Sequence, residues 1–206
     1  MLFLAWIVAV LVTLSLHEFS HALIATFQGD GTPERQGRLT LNPMAHIDWL
    51  GLVMLVVVGF GWGKPVEFNP YNLKFTRWGS TLVALAGPAS NFLSAILFGA
   101  VTGLLVRFGA FSLDNLLIQF LMLLVTLNVM LGFFNLIPIT PLDGSKILYG
   151  LFHDPKYARF LHTIETRGPT VLFILIFLDI FTGISVFGGI FTRALGVTET
   201  IMNFFL

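Results

Sequence analysis

The stretch LGLVMLVVVGF, Leu50–Phe60, decides how this chain is arranged. All 11 of its residues are apolar or glycine. As a helix it reaches only about 16 Å, against a hydrocarbon core of about 30 Å. As a strand it could reach roughly 36 Å, but a lone strand in lipid leaves its backbone groups unpaired. An excursion that dips into the membrane and returns on the same side avoids both problems. GFGWGKPVEFNP, residues 59–70, supplies the glycines and prolines that break a helix on the way back.

The flanks are apolar at spanning length. Leu2–Phe27, Thr81–Val106, Leu116–Leu136 and Pro169–Phe187 read as crossings. Gly188–Leu206 is a mostly apolar tail, and Asp154–Arg167 is a polar stretch suited to a surface helix. Between the first two crossings, the alternation in GRLTLNP (37–43) suggests a short strand. The first run is too long for a signal peptide, lacks a basic leading segment and carries polar residues, so it reads as retained. The expected fold is therefore an all-α polytopic membrane protein of about four to five transmembrane helices. A short re-entrant or β region separates its first and second full spans, and residues 1–206 form a single domain.

Composition agrees. The chain is 56% hydrophobic and 11% charged, where soluble domains carry about 25% charge. Its net charge is zero, which argues against a nucleic-acid partner. The absence of cysteine excludes disulfides, thiolate metal sites and thiol catalysis. If Leu50–Phe60 returns, Arg35, Arg38, Lys64, Lys74, Arg77, Lys146, Lys156, Arg159 and Arg167 share one side, nine of the 11 basic residues. The positive-inside rule makes that side cytoplasmic. Trp49, Trp62 and Trp78 lie at span ends and read as interface anchors.

The first span contains HEFSH, residues 17–21. Charge in hydrocarbon costs roughly 2.5–3.5 kcal/mol per residue on insertion scales, so its presence there asks for a reason. His17 and His21 are one turn apart, on one helix face. Glu18 lies about 100° around the helix, close enough to flank the same ion. Two neutral imidazoles at this spacing hold zinc, and the glutamate works on the attacking water. The plainer alternative is a polar stripe, with Thr13 and Ser20, that hydrogen-bonds to neighbouring spans.

Catalytic zinc takes a third protein ligand. Asp143 in NLIPITPLDG, residues 135–144, is the best candidate, because its segment ends on the same side as the first span. It reads equally well as the N-cap of a helix starting at Gly144. His46, in GRLTLNPMAHID, reads first as a loop-fixing residue and second as a pocket residue or further ligand. His153 and His162 read as interfacial.

HEFSH in the first span, AGPASN (86–91) opening a later one, and NLIPITPLDG ending the next resemble the site-2 protease family of intramembrane zinc metalloproteases. The resemblance runs through most of residues 1–150. It includes GRLTLNPMAHID and GFGWGKPVEFNP, which look like the compact branch without PDZ or CBS domains. It implies a catalytic core of about 1–150, with a C-terminal span and tail over about 169–206. It implies that His17, His21 and Asp143 bind one Zn²⁺, that Glu18 is the general base and that Asn135 contacts the substrate or its oxyanion. Asn91 looks like a second substrate-side contact. On physical grounds alone, Asn91 and Asn128 suit packing between helices, whereas Asn135, beside the break, suits substrate. The implied partners are transmembrane or membrane-anchored protein substrates within the lipid bilayer of the cell membrane. A helical substrate must unwind to be cut, and the GRLTLN and KPVEFN stretches could offer a strand edge to it. Two rivals are a membrane metal transporter or sensor using the same three residues, and an inactive scaffold of the same fold.

Overall fold

A computed structural model describes residues 2–109, 111–152 and 154–206, and His153 lies outside the described residues. Eight α-helices are present among them: α1 (Leu2–Phe27), α2 (Thr32–Arg35), α3 (Trp49–Val58), α4 (Gly79–Arg107), α5 (Leu116–Asn135), α6 (Asp143–Leu151), α7 (Ala158–Phe181) and α8 (Gly188–Phe205). No strand occurs among the described residues, only an isolated antiparallel bridge between Ile47 and Gly63. The protein is an all-helical membrane protein. Three helices, α1, α4 and α5, are long and apolar enough to cross a bilayer.

Those three helices pack on one another and position everything else. α4 also carries α6 and α8, and α5 carries α8. The buried positions of α1 include Ala9, Thr13, His17, His21 and Ala25, four residues apart and hence on one stripe. Among α4, α5 and α8 the core is small and apolar, with Ala95, Val125, Val129, Ala194 and Met202. Leu142 joins Leu172, Ile176 and Phe187 in a second cluster, which seats the α6 approach against α7.

The short apolar stretch forms α3, capped at its start by Asp48, whose carboxylate accepts from Gly51 N–H at 2.9 Å. Gly59 ends it at φ +82°, a left-handed conformation that glycine adopts without steric cost. The chain then doubles back along α3, so closely that a Cβ on Gly51 would sit 2.0 Å from the Trp62 carbonyl oxygen. Lys64 N–H donates to the His46 carbonyl at 2.9 Å. The segments before and after α3 thus meet side by side.

Two local expectations differ from the structure. GRLTLNP is not a strand, because its polar groups bond within the loop. The His46 ring donates to the Thr40 carbonyl at 2.8 Å, and Asn42 caps the Pro43–Ala45 turn. The last apolar stretch is not a helix from Pro169 to Phe187. α7 starts at Ala158, continues through Pro169 and ends at Phe181. Glu165, Arg167 and Asp179 lie along it, and it is not among the three helices apolar enough to cross.

Candidate metal centre

The second half of α1 presents His17 and His21 toward α4 and toward the start of α6, with Glu18 beside them. All three are buried, at 3%, 9% and 6% exposure, and Asp143 is buried with them at 5%. His17 Nε2 and His21 Nε2 are 3.0 Å apart, and each is 3.1 Å from Asp143 Oδ2. Among the described residues this is the group of His, Asp and Glu side chains gathered closely enough to hold a metal ion.

The opposite ring nitrogens fix the protons. His21 Nδ1 lies 2.7 Å from the Val83 carbonyl, which can only accept, so Nδ1 carries the hydrogen. His17 Nδ1 lies 2.7 Å from Asn91 Oδ1. That amide is oriented from behind. Asn128 Nδ2 donates to the Leu124 carbonyl at 2.8 Å and to Thr13 Oγ1 at 3.0 Å. Asn128 Oδ1 is left to accept from Asn91 Nδ2 at 2.9 Å, which turns Asn91 Oδ1 to the ring. In the neutral imidazoles both Nε2 atoms therefore hold lone pairs. Two lone pairs and a carboxylate oxygen face one another in a buried site, and only a cation relieves that repulsion.

The separations suit zinc. A tetrahedral ion bonded at about 2.0–2.1 Å sets its donors roughly 3.3–3.4 Å apart, close to the 3.0–3.1 Å found. Two imidazoles and a carboxylate are a donor set of catalytic zinc, with the fourth position left open.

Two glycines make room for this cluster. A Cβ at Gly87 would lie 2.5 Å from both His17 Cε1 and His21 Nε2, so α4 can back the rings only with glycine there. Pro88 follows and lacks the N–H that the Ala84 carbonyl would take; it is in this part of α4 that the Val83 carbonyl bonds His21. A Cβ at Gly144 would lie 2.3 Å from the Leu136 carbonyl oxygen, so α6 starts against the end of α5. Leu142, not Asp143, is the N-cap of α6, and Asp143 is its first residue. The carboxylate is thereby free for the imidazoles. Lys146 Nζ lies 3.8 Å from Asp143 Oδ1 and 5.5 Å from the Phe68 ring centroid, and it is partly exposed.

Glu18 faces a different neighbour. Its Oε2 accepts from the Val66 N–H at 3.1 Å, a contact from the segment that returns from α3. Sequence patterning gave no sign of this contact, which joins residues 48 apart. Asn135 is the last residue of α5, and its Nδ2 donates back to the Leu131 carbonyl at 3.1 Å. Its amide makes no hydrogen bond to the His–Asp cluster among the described residues. Asn91 is fully buried behind His17. His46 is also fully buried and fixes its loop, apart from the cluster. His162 is exposed on α7.

Comparison with known proteins gives the chain's relatives. The sequence model described as Peptidase family M50 matches residues 103–178, which include Asn135 and Asp143. A Bacillus subtilis protein named "Putative zinc metalloprotease YwhC" is 36% identical over 174 residues, 82% of this chain and 78% of that protein. "Putative zinc metalloprotease Rip2" of Mycolicibacterium smegmatis is 33% identical over 177 residues, 81% of this chain and 64% of its own length. Its namesake in Mycobacterium tuberculosis is 34% identical over 174 residues, 82% and 62% respectively. The chain thus spans less than two thirds of the mycobacterial relatives. No solved structure matches it.

Proposed function

The chain belongs to peptidase family M50, and from that premise we propose that it hydrolyses peptide bonds in or near transmembrane segments of membrane-protein substrates. It is a zinc metalloprotease of the membrane. The observation that carries the reading is the convergence of His17 Nε2, His21 Nε2 and Asp143 Oδ2 within 3.0–3.1 Å, with both other ring nitrogens already donating.

In this reading His17, His21 and Asp143 are the zinc ligands. When bound, zinc supplies Lewis-acid polarisation of the scissile carbonyl and acidifies a water. Glu18 takes the proton of the attacking water and returns it to the leaving amine. Its Oε2 is held by Val66 N–H, which leaves Oε1 for the proton. Asn91 serves the site from behind, by orienting His17, a different part from the substrate contact its motif implies. Asn135, beside the open end of α5, donates to the developing oxyanion. The dry, buried setting of the cluster strengthens each of these interactions. Among the described residues the backbone of KPVEF has no ladder partner beyond Gly63, and an unwound substrate pairs there as an added strand.

The same reading places α3 as a re-entrant helix and the site toward the cytoplasm of the cell membrane. It is supported by the meeting of the two ends of the excursion at Ile47 and Gly63, and by the nine basic residues that a returning α3 gathers on one side. Single cysteines placed at Gln36 and Tyr71 should then react with an impermeant thiol reagent from the cytoplasmic face only. Labelling from opposite faces would show that α3 crosses.

The activity is tested with wild type and Glu18→Gln expressed side by side. Purified protein of both kinds should carry about one zinc, whereas Asp143→Ala should lose most of it. Membrane-protein fragments produced by wild type should vanish with Glu18→Gln, because the amide keeps the shape but cannot accept the proton. Undiminished fragments in that variant would reject Glu18 as the base.

A further inference from the structure

Two charged residues that the proposed reaction does not use are buried beside it. Asp30 is fully buried, and Arg38 is 5% exposed. Both bond to one segment, residues 64–72, which runs back from α3 to the turn before α4. Arg38 Nη1 donates to the carbonyls of Ala45 and Lys64. Asp30 Oδ2 accepts from Asn69 N–H at 2.6 Å, and Oδ1 accepts from Asn72 Nδ2 at 3.0 Å. The remaining bonds to Asp30 come from Thr32, whose N–H and hydroxyl reach Oδ1 at 3.1 and 2.7 Å. Burial would raise the Asp30 carboxyl, but the bonds from Asn72, Thr32 and Asn69 hold it below the usual range, so the ionised form does the tying.

Between the two ties lies a backbone donor that reaches the reaction centre, Val66 N–H on Glu18 Oε2. The segment has no ladder of its own to hold it. Its first amide, Lys64 N–H, bonds the His46 carbonyl, and beyond its end Lys74 N–H bonds the Gln28 carbonyl. α1 thus ends in the anchor of the strap that steadies its own glutamate, since Gln28 directly follows Phe27 and Asp30 lies two residues further on.

We propose that Asp30 and Arg38 are positioning residues that stretch residues 64–72 between two buried charges, and so aim Val66 N–H at the Glu18 carboxylate. This rests on Glu18 as the general base. Neither residue touches substrate or metal. A strap secured at both ends fixes one of the two Glu18 oxygens, so that the other stays directed at the attacking water. A base free to swing loses near-attack geometry, and a misplacement of about 1 Å can cost 10²-fold in rate.

The test uses purified full-length protein in detergent, with a fluorogenic single-span peptide that wild type cleaves. Zinc content, deuterium uptake over residues 64–72 and the split between kcat and KM are measured together. Asp30→Ala and Arg38→Met should keep zinc, raise uptake in 64–72 and lower kcat by about 10- to 100-fold, with a smaller change in KM. Asn72→Ala removes one of the ties to Asp30 and should move uptake and kcat the same way by a smaller step. It carries the test if Asp30→Ala does not fold. Asp154→Ala removes a comparable acceptor from an exposed loop turn and should change none of the three. Unchanged uptake in 64–72, raised uptake with kcat within twofold of wild type, or zinc lost in step with kcat would each overturn the proposal. Cleavage by Glu18→Gln, run in parallel, would instead reject the base assignment, while uptake would still report whether Asp30 and Arg38 hold the strap.

Discussion

The back and the front of the His–Asp cluster are built by opposite means. The back lies among α1, α4 and α5, where Asn91, Asn128, Thr13 and the Leu124 carbonyl form a closed network in which each amide is spent. The front is made of the strap over Glu18, the end of α5 at Asn135 and the partly exposed Lys146. Groups there retain bonding capacity that no described residue consumes. A saturated back wall keeps imidazoles in one tautomer and one orientation, which in the proposed reading governs metal affinity. In the same reading an unsaturated front leaves donors and acceptors for a substrate, which governs turnover.

Substitutions on the two sides should therefore fail differently. The larger effect is expected at the front. Asn135→Ala should lower kcat by about 10²–10³, as loss of one oxyanion donor does, while zinc content stays at the wild-type level. Steady-state cleavage with metal analysis on the same sample checks this. Zinc lost in proportion to activity would make Asn135 part of the structure of α5 and erase the distinction. The smaller effect belongs to the back. Asn91→Ala should weaken zinc binding by about 10- to 100-fold, the usual cost of removing a partner of a ligating histidine. At saturating zinc most of its kcat should return. Competition with a chelator measures the first and added zinc the second. An Asn91→Ala enzyme with normal affinity and poor turnover would move that residue to the substrate side, as its motif had suggested.

Much of this site was legible in the residues because helix geometry is local. HEFSH on an apolar run places two imidazoles on one face whatever surrounds it, and Pro138 with Pro141 disfavours a helix running on to Asp143. The choice at Asp143 between ligand and helix cap was not legible. The cap position turned on Gly144, whose missing side chain lets α6 start against the Leu136 carbonyl and puts Leu142 at the cap; the ligand role of Asp143 belongs to the proposed reading. GRLTLNP failed as a strand for a related reason. Alternation describes which face a residue could take, but a strand exists only where a partner accepts its backbone, and here side chains do so. The continuation of α7 through Pro169 likewise went against local preference.

By itself, then, the sequence determined that this is a membrane protein with a paired-histidine site on its first long helix, because hydropathy, charge and the 3.6-residue period act within a few turns of chain. Only the tertiary structure decided which nitrogen of each imidazole carries the proton, that Asn91 stands behind His17, and that a backbone amide from the returning strap holds Glu18. These contacts join residues 74 and 48 apart in the chain. The first exists because close packing of α1 on α4, with glycine at 87, brings Asn91 within hydrogen-bond distance of His17, and the second because the segment returning from α3 passes beside α1 at Glu18.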